Sequence, residues 1–204
     1  MLKFQSAAYI QAHSPEEAEA ALVTMKQALI DSGFKGFVVF DDPKPLEAAV
    51  GEEIVVYTDG GCDARRGGVG AWAFIARIPG QPPLKRCEAV SDTTNNRMEM
   101  QAVIEALKVL EIGQKIVIYS DSEYVIKGAT QWARNWVRNG WMTAGGSPVK
   151  NVEIWQELLA LYQLHDVRFV HVKGHSGVED NEWCDQACTE AMQTLHKQTL
   201  AMNT

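Results

Sequence analysis

The sequence predicts an α/β protein built on a mixed five-stranded sheet flanked by helices, with a small βαβ-like appendage ahead of it. Two patterns carry that expectation. Three short apolar runs at about 54–58, 69–78 and 85–90 follow one another with tight connections, as antiparallel neighbours do. Two further runs, at about 115–119 and 167–172, are separated from these and from each other by stretches of helical periodicity, which calls for parallel crossovers.

The elements follow in order. Residues 1–10 suit a short strand. Ser14, Pro15, Glu16 and Glu17 read as an N-cap, a proline at the first helical position and acids in the first turn, and Ala18, Leu22, Met25 and Leu29 share one helical face. Gly33 ends that helix, Phe37–Phe40 reads as a strand, and Asp41-Asp42-Pro43-Lys44-Pro45 breaks the pattern. The expected division is an appendage over 1–50, a main domain over 51–195 and a tail over 196–204. Within the main domain a helix is predicted from about Asn96 to Leu110 after the second strand pair. Ser122 opens another, interrupted segments run to Asn139, a helix covers about 151–164, and a last one starts near Glu179 or Asp180.

Length and composition bound the function classes. The 204 residues are 46% hydrophobic, enough for one packed domain and a small extra unit. The formal charge of −7 is uneven: residues 1–53 carry four lysines against nine acids, or −5, and the remainder fifteen basic residues against seventeen acids, or −2. No global basic field advertises a polyanion, so any nucleic-acid binding has to rest on a local patch and on metal ions. No apolar run approaches the roughly 20 residues of a membrane-spanning helix, and no signal-peptide pattern opens the chain. The expectation is a cytoplasmic, monomeric protein with no membrane partner. Cys62, Cys87, Cys184 and Cys188 form no C-x-x-C pair; reduced packing thiols fit them better than a zinc site with His196, and the Cys184–Cys188 spacing is one helical turn on a buried face.

Carboxylates at strand ends point to chemistry. Asp59 closes Ile54–Thr58 and Asp121 closes Ile116–Ser120, the position where open α/β sheets hold their ligands. If these strands are neighbours the two acids face each other, and converging carboxylates ionise together only when a cation neutralises them. Hard oxygen donors imply Mg²⁺, with Mn²⁺ as the other candidate. Glu99 lies in the first turns of its helix, whose apolar residues Val103, Ala106, Leu107 and Leu110 would pack on the sheet and bring the acid over its upper edge. His175 sits between glycines in VKGHSG, on a loop after a strand, where an imidazole is placed to move protons near neutral pH.

Read together and in order, YTDGGC, TTNNRMEM, YSDSEYV, VKGHSG and NEWCDQA resemble the type 1 ribonuclease H family, and QWARNWVRNGWMTAGGSPVK (131–150) resembles the handle of its bacterial members. The resemblance spans Glu53 to about Met192. It implies a ribonuclease H-like sheet of order 3-2-1-4-5 with strand 2 antiparallel. It also implies endonucleolytic, two-metal hydrolysis of the RNA strand of RNA–DNA hybrids, leaving 5′-phosphate and 3′-hydroxyl ends. Two Mg²⁺ ions in the substrate complex would be held by Asp59, Glu99, Asp121 and, carried over from the NEWCDQA block, Asp185. His175 would assist proton transfer or product release.

Thr94, Asn95 and Asn96 are both natural helix caps and the kind of groups that read ribose 2′-hydroxyls. Trp132 and Trp136 share one helical face and offer stacking surface or core, and Asn135 matches a family position that holds a DNA-strand phosphate. Three departures stand out: the handle is sparse in Lys and Arg, the turn Cys62–Gly68 is short but carries Arg65 and Arg66, and Glu123 stands where the bacterial pattern has Gln. Two other classes share parts of this pattern, a DNA transposase or junction resolvase of the same fold and a non-catalytic hybrid-binding protein. For residues 1–50, which lack Arg and Trp, the acidic balance points to a protein contact rather than to phosphate binding.

Overall fold

The structure, a computed structural model, describes residues 52–66, 68–174 and 177–202, without the side chains of Arg66 and Met202. The expectations for the appendage over 1–50 and for His175 lie outside the described residues.

Strands β1 (Ile54–Asp63), β2 (Val69–Arg77) and β3 (Leu84–Val90) come first. Helix α1 (Asn95–Lys108) and strand β4 (Lys115–Ser120) follow, then α2 (Glu123–Lys127), a π-helical turn (Gly128–Trp132), α3 (Ala133–Arg138), α4 (Val152–Tyr162), β5 (Asp166–His171) and α5 (Glu179–Met202). The sheet order is β3-β2-β1-β4-β5, with β2 antiparallel to both neighbours and β4 parallel to β1 and β5. This is the predicted fold. Because strand side chains alternate between faces, β2 serves two cores at once. Its Trp72, Phe74 and Ala76 pack with α1 and α4 on one face, while Ala71, Ala73 and Ile75 pack with Cys184 and Cys188 of α5 on the other.

Two boundaries differ from the sequence expectation in ways that matter. β1 does not end at Thr58 but continues through Gly60 and Gly61 to Asp63, held by antiparallel pairing as far as Asp63 opposite Val69. The terminal helix continues through His196 to Met202, so the stretch expected as a tail is helical to that point. The interrupted region after Ser122 is one α-π-α run, opened by the Ser122 hydroxyl accepting from the Val125 amide at 3.4 Å. Cys184 and Cys188 are buried one turn apart against the sheet, as their spacing suggested, and burial pushes the Cys184 thiol upward.

Candidate active site

The site arises where β1 and β4 part. Their parallel pairing ends at Tyr57 opposite Tyr119, whose rings stack with centroids 4.7 Å apart. Asp59 and Asp121 each lie two residues beyond that last pair, which in a period-2 chain returns both to the same side of the sheet. Asp59 therefore sits within a strand rather than at its end: β2 keeps β1 extended while β4 has already turned away. The Gly60 amide donates to Asp59 Oδ1 at 2.8 Å and orients that carboxylate.

Glu99 reaches the pair from α1. The helix lies so close to β1 that a Cβ at Gly60 would fall 2.3 Å from the Glu99 amide nitrogen and the Met98 carbonyl carbon, so only glycine admits this approach. Val103, Ala106 and Leu107 anchor the helix in the core, and Asn95 Nδ2 donates to Glu99 Oε1 at 3.5 Å. On the far side, a Cβ at Gly174 would meet Asp121 Oδ2 at 2.7 Å, so the loop after β5 also closes on the site through a glycine.

One ligand oxygen from each of Asp59, Glu99 and Asp121 lies within 4.8 Å of the others. Glu99 is buried, and its Oε2 and the Asp121 Oδ1 accept no hydrogen bond. Burial first, then the neighbouring charges of Asp59 and Asp121, push the Glu99 carboxyl up to about 9. A compact set of hard oxygens with buried, unmet acceptors and mutual repulsion fits a divalent cation, which would supply the missing partner and lower that carboxyl again. Asp185, in the second turn of α5, does not join the three within that distance. It approaches from the helix on the opposite face of the sheet from α1.

The remaining predicted residues divide. Thr94 is the N-cap of α1 but makes no side-chain cap bond, so the capping alternative is not realised; Asn95 and Asn96 are exposed in the first turn. Asn95 instead steadies Glu99, a helical i, i+4 link that the sequence spacing already contained. Glu123 is exposed and paired with Lys127 Nζ at 2.6 Å, which holds its carboxyl below the usual range. Trp132 is 36% exposed, whereas Trp136 packs on the buried Trp155 with centroids 5.3 Å apart. Trp132 leans on Trp136 and on Tyr124, and Tyr124 accepts from Trp155 Nε1 at 2.9 Å. Asn135 is exposed on α3. Tyr124 and Trp155 escaped the sequence reading; an aromatic at each end of this segment was the available signal.

A family model described as RNase H matches residues 51–193. The chain belongs to the ribonuclease H family. It is 46% identical over 145 residues to the ribonuclease H of Hydrogenovibrio crunogenus, covering 71% of this chain and 98% of that protein. To the ribonuclease H of Hahella chejuensis it is 47% identical over 133 residues, 65% of this chain and 88% of that one. Among solved structures, LC9-RNase H1, described as a type 1 RNase H with the type 2 active-site motif, aligns at TM-score 0.61 and 28% identity over 76% of this chain and 75% of that one. A foamy viral protease-reverse transcriptase in complex with RNA/DNA hybrid shares the fold at TM-score 0.60 and 22% identity, over 77% of this chain and 22% of that one. As a ribonuclease H the chain is a hydrolase, an endoribonuclease acting on the RNA strand of RNA–DNA hybrids, and its acidic cluster fits divalent-metal use. No helix among the described residues is long and apolar enough to cross a membrane.

Proposed function

We propose that Asp59, Glu99 and Asp121, joined by Asp185, hold two Mg²⁺ ions for hydrolysis of the RNA strand to 5′-phosphate and 3′-hydroxyl ends, with Mn²⁺ able to replace Mg²⁺. The observation that carries this reading is the convergence of three carboxylate oxygens within 4.8 Å, two of the acids offering buried acceptors with no hydrogen bond. These acids would hold the cations, which when bound would supply a more acidic water and neutralise charge at the scissile phosphate. The chain's own contribution is placement. Gly60 lets Glu99 approach, the Gly60 amide orients Asp59, and Asn95 keeps Glu99 directed at its neighbours.

On this reading Thr94, Asn95 and Asn96, exposed beside the acids, meet the ribose side of the hybrid. The 2′-hydroxyl is the group that separates RNA from DNA there. Trp132 and Asn135 face the DNA strand, and Trp136 contributes mainly by packing. Glu123 acts with Lys127 as a paired unit, which removes the bare anion that its sequence position suggested. His175 serves proton transfer, the protein works as a cytoplasmic monomer, and residues 1–50 bind protein rather than nucleic acid.

The test is cleavage of labelled RNA–DNA hybrid, duplex RNA and duplex DNA by the full chain, with and without Mg²⁺. Metal-dependent internal cuts in the hybrid's RNA strand alone are expected. Cleavage of duplex DNA would instead favour a transposase or resolvase, and binding without cleavage a hybrid-binding protein.

A further inference from the structure

Asp185 is delivered by α5, and the contacts of that helix with the sheet show what sets its height. Asp180, Cys184 and Cys188 recur every four residues and form one stripe against the sheet. Cys184 Sγ donates to the Tyr57 carbonyl at 3.6 Å and Cys188 Sγ to the Asp59 carbonyl at 3.7 Å. Asp180 takes two bonds from Arg77, Nε to Oδ2 at 2.5 Å and Nη2 to Oδ1 at 2.7 Å, and Arg77 ends β2 opposite Val55. The helix thus climbs alongside β1 in the same direction. Eight helical residues rise about 12 Å and four strand residues about 13 Å, so the stripe keeps step with the strand from Val55 to Asp59.

The two thiol bonds are weak and tolerate sliding. A bidentate guanidinium–carboxylate pair does not, because both distance and plane are fixed. Its carboxylate is also the covered partner: the Asp180 side chain is 10% exposed and that of Arg77 48%. Loss of Arg77 would strand a covered anion in the first turn of α5, and that end of the helix would shift toward water. Asp185 follows one turn later, beside Cys184.

We infer that Arg77 and Asp180 are positioning residues, a clamp on the start of α5 that sets the height of Asp185 relative to Asp59, Glu99 and Asp121. The inference rests on the reading of Asp185 as a metal ligand. Arg77 lies opposite Val55, four residues before Asp59 on β1, and its side chain bonds to Asp180.

The experiment titrates the full-length protein and its Arg77→Met, Asp180→Asn, double and Asp185→Asn variants with Mn²⁺ by calorimetry, alongside hybrid-cleavage kinetics and melting curves. Each single clamp variant is expected to weaken cation binding and lower kcat by about 10-fold, the range for residues that orient metal ligands, with KM for the hybrid unchanged. The double variant should be no worse than either single, and Arg77→Lys, which keeps the charge but loses the fork, should recover part of the loss. Should Arg77→Met not fold, Arg77→Lys and Asp180→Asn carry the same comparison. Lower melting temperatures with wild-type cation affinity and kcat would reduce the pair to a structural one and overturn the inference. Wild-type cation binding and cleavage by Asp185→Asn would overturn the ligand assignment and take the clamp with it. Absence of metal-dependent cleavage by the unmodified chain would strike the proposed function itself.

Discussion

The acidic centre and the aromatic segment beside it are built on opposite principles. Around Asp59, Glu99 and Asp121 the fold gathers like charges and leaves buried acceptors unmet. Around Tyr124, Trp132, Trp136 and Trp155 it satisfies itself: the rings interlock, and the indole of the fully buried Trp155 finds the tyrosine hydroxyl. Among the described residues the buried acceptors of the first region find no hydrogen-bond partner, so it stores cost in the metal-free protein. The second is complete already, so it stores stability.

The largest expected effect follows from removing charge at the acidic centre. Asp59→Asn or Asp121→Asn keeps side-chain size but removes a hard anionic donor, and should lower kcat/KM on hybrid by about 10³-fold or more, some 4 kcal/mol of transition-state stabilisation. In metal-free buffer the same variants should melt at or above the temperature of the unmodified protein, because a repulsive charge is gone. Near-wild-type turnover, or a clear fall in metal-free melting temperature, would erase the distinction between the two regions.

The aromatic segment should behave in the reverse sense. Trp155→Ala empties a buried indole site and should cost about 3–5 kcal/mol in urea unfolding, while the molecules still folded bind Mn²⁺ with unaltered affinity. A loss of cation affinity larger than the loss of stability would show that the two regions are coupled.

A pH series sharpens the contrast. Glu99 titrates near 9 in the metal-free fold against an ordinary carboxylate value when unfolded. Between those values the unfolded chain has released a proton that the folded chain keeps. Stability contributed by this group is therefore full at acid pH and declines as pH rises toward 9, by at most about 1.4 kcal/mol per pH unit. Divalent cations should raise the melting temperature more at pH 8 than at pH 5.5, and Glu99→Gln should flatten the metal-free profile. Equal cation effects at both pH values would remove Glu99 from the site.

Smaller effects test the borders of each region. Gly60→Ala forces a methyl against the α1 backbone and should cost about 1–3 kcal/mol, with weaker Mn²⁺ binding as Glu99 is pushed back; a melting shift alone would leave Gly60 a packing residue. In the sparse handle, Gly145→Lys should tighten hybrid binding at low salt and steepen the logarithmic salt slope by about 0.7 to 0.9 for a new phosphate contact. Gly146 is a poor place for the same change, since its φ of +77° strains any side chain. An unaltered slope would place the handle off the nucleic acid.

Most of the fold was legible because its signals are local. Strand runs and the helices between them separated the antiparallel meander from the parallel crossovers, and the NNRMEM and YSDSEY blocks placed Glu99 and Asp121. The end of β1 was not legible: Gly60-Gly61 reads as a breaker, yet pairing with β2 carries the strand through it, and the missing side chain of Gly60 makes room for α1. The partners of Asn95 and Glu123 within their own helices, Glu99 and Lys127, were open to an i, i+4 reading but were overshadowed by the substrate roles expected of both residues. Arg77 with Asp180, and Tyr124 with Trp155, join residues 103 and 31 positions apart, and no periodicity connects such pairs.

The bond from the Gly60 amide to Asp59 Oδ1 makes one backbone proton an observer of the chemistry. Its nitrogen and proton resonances depend on the charge and direction of a single carboxylate. A cation drawing on Asp59 would move that amide signal ahead of any change in the strand around it. In a spectrum of the labelled protein, Gly60 would count the occupancy of the site while Trp155 Nε1, bonded to Tyr124 in the self-satisfied aromatic segment, stays still and supplies the reference.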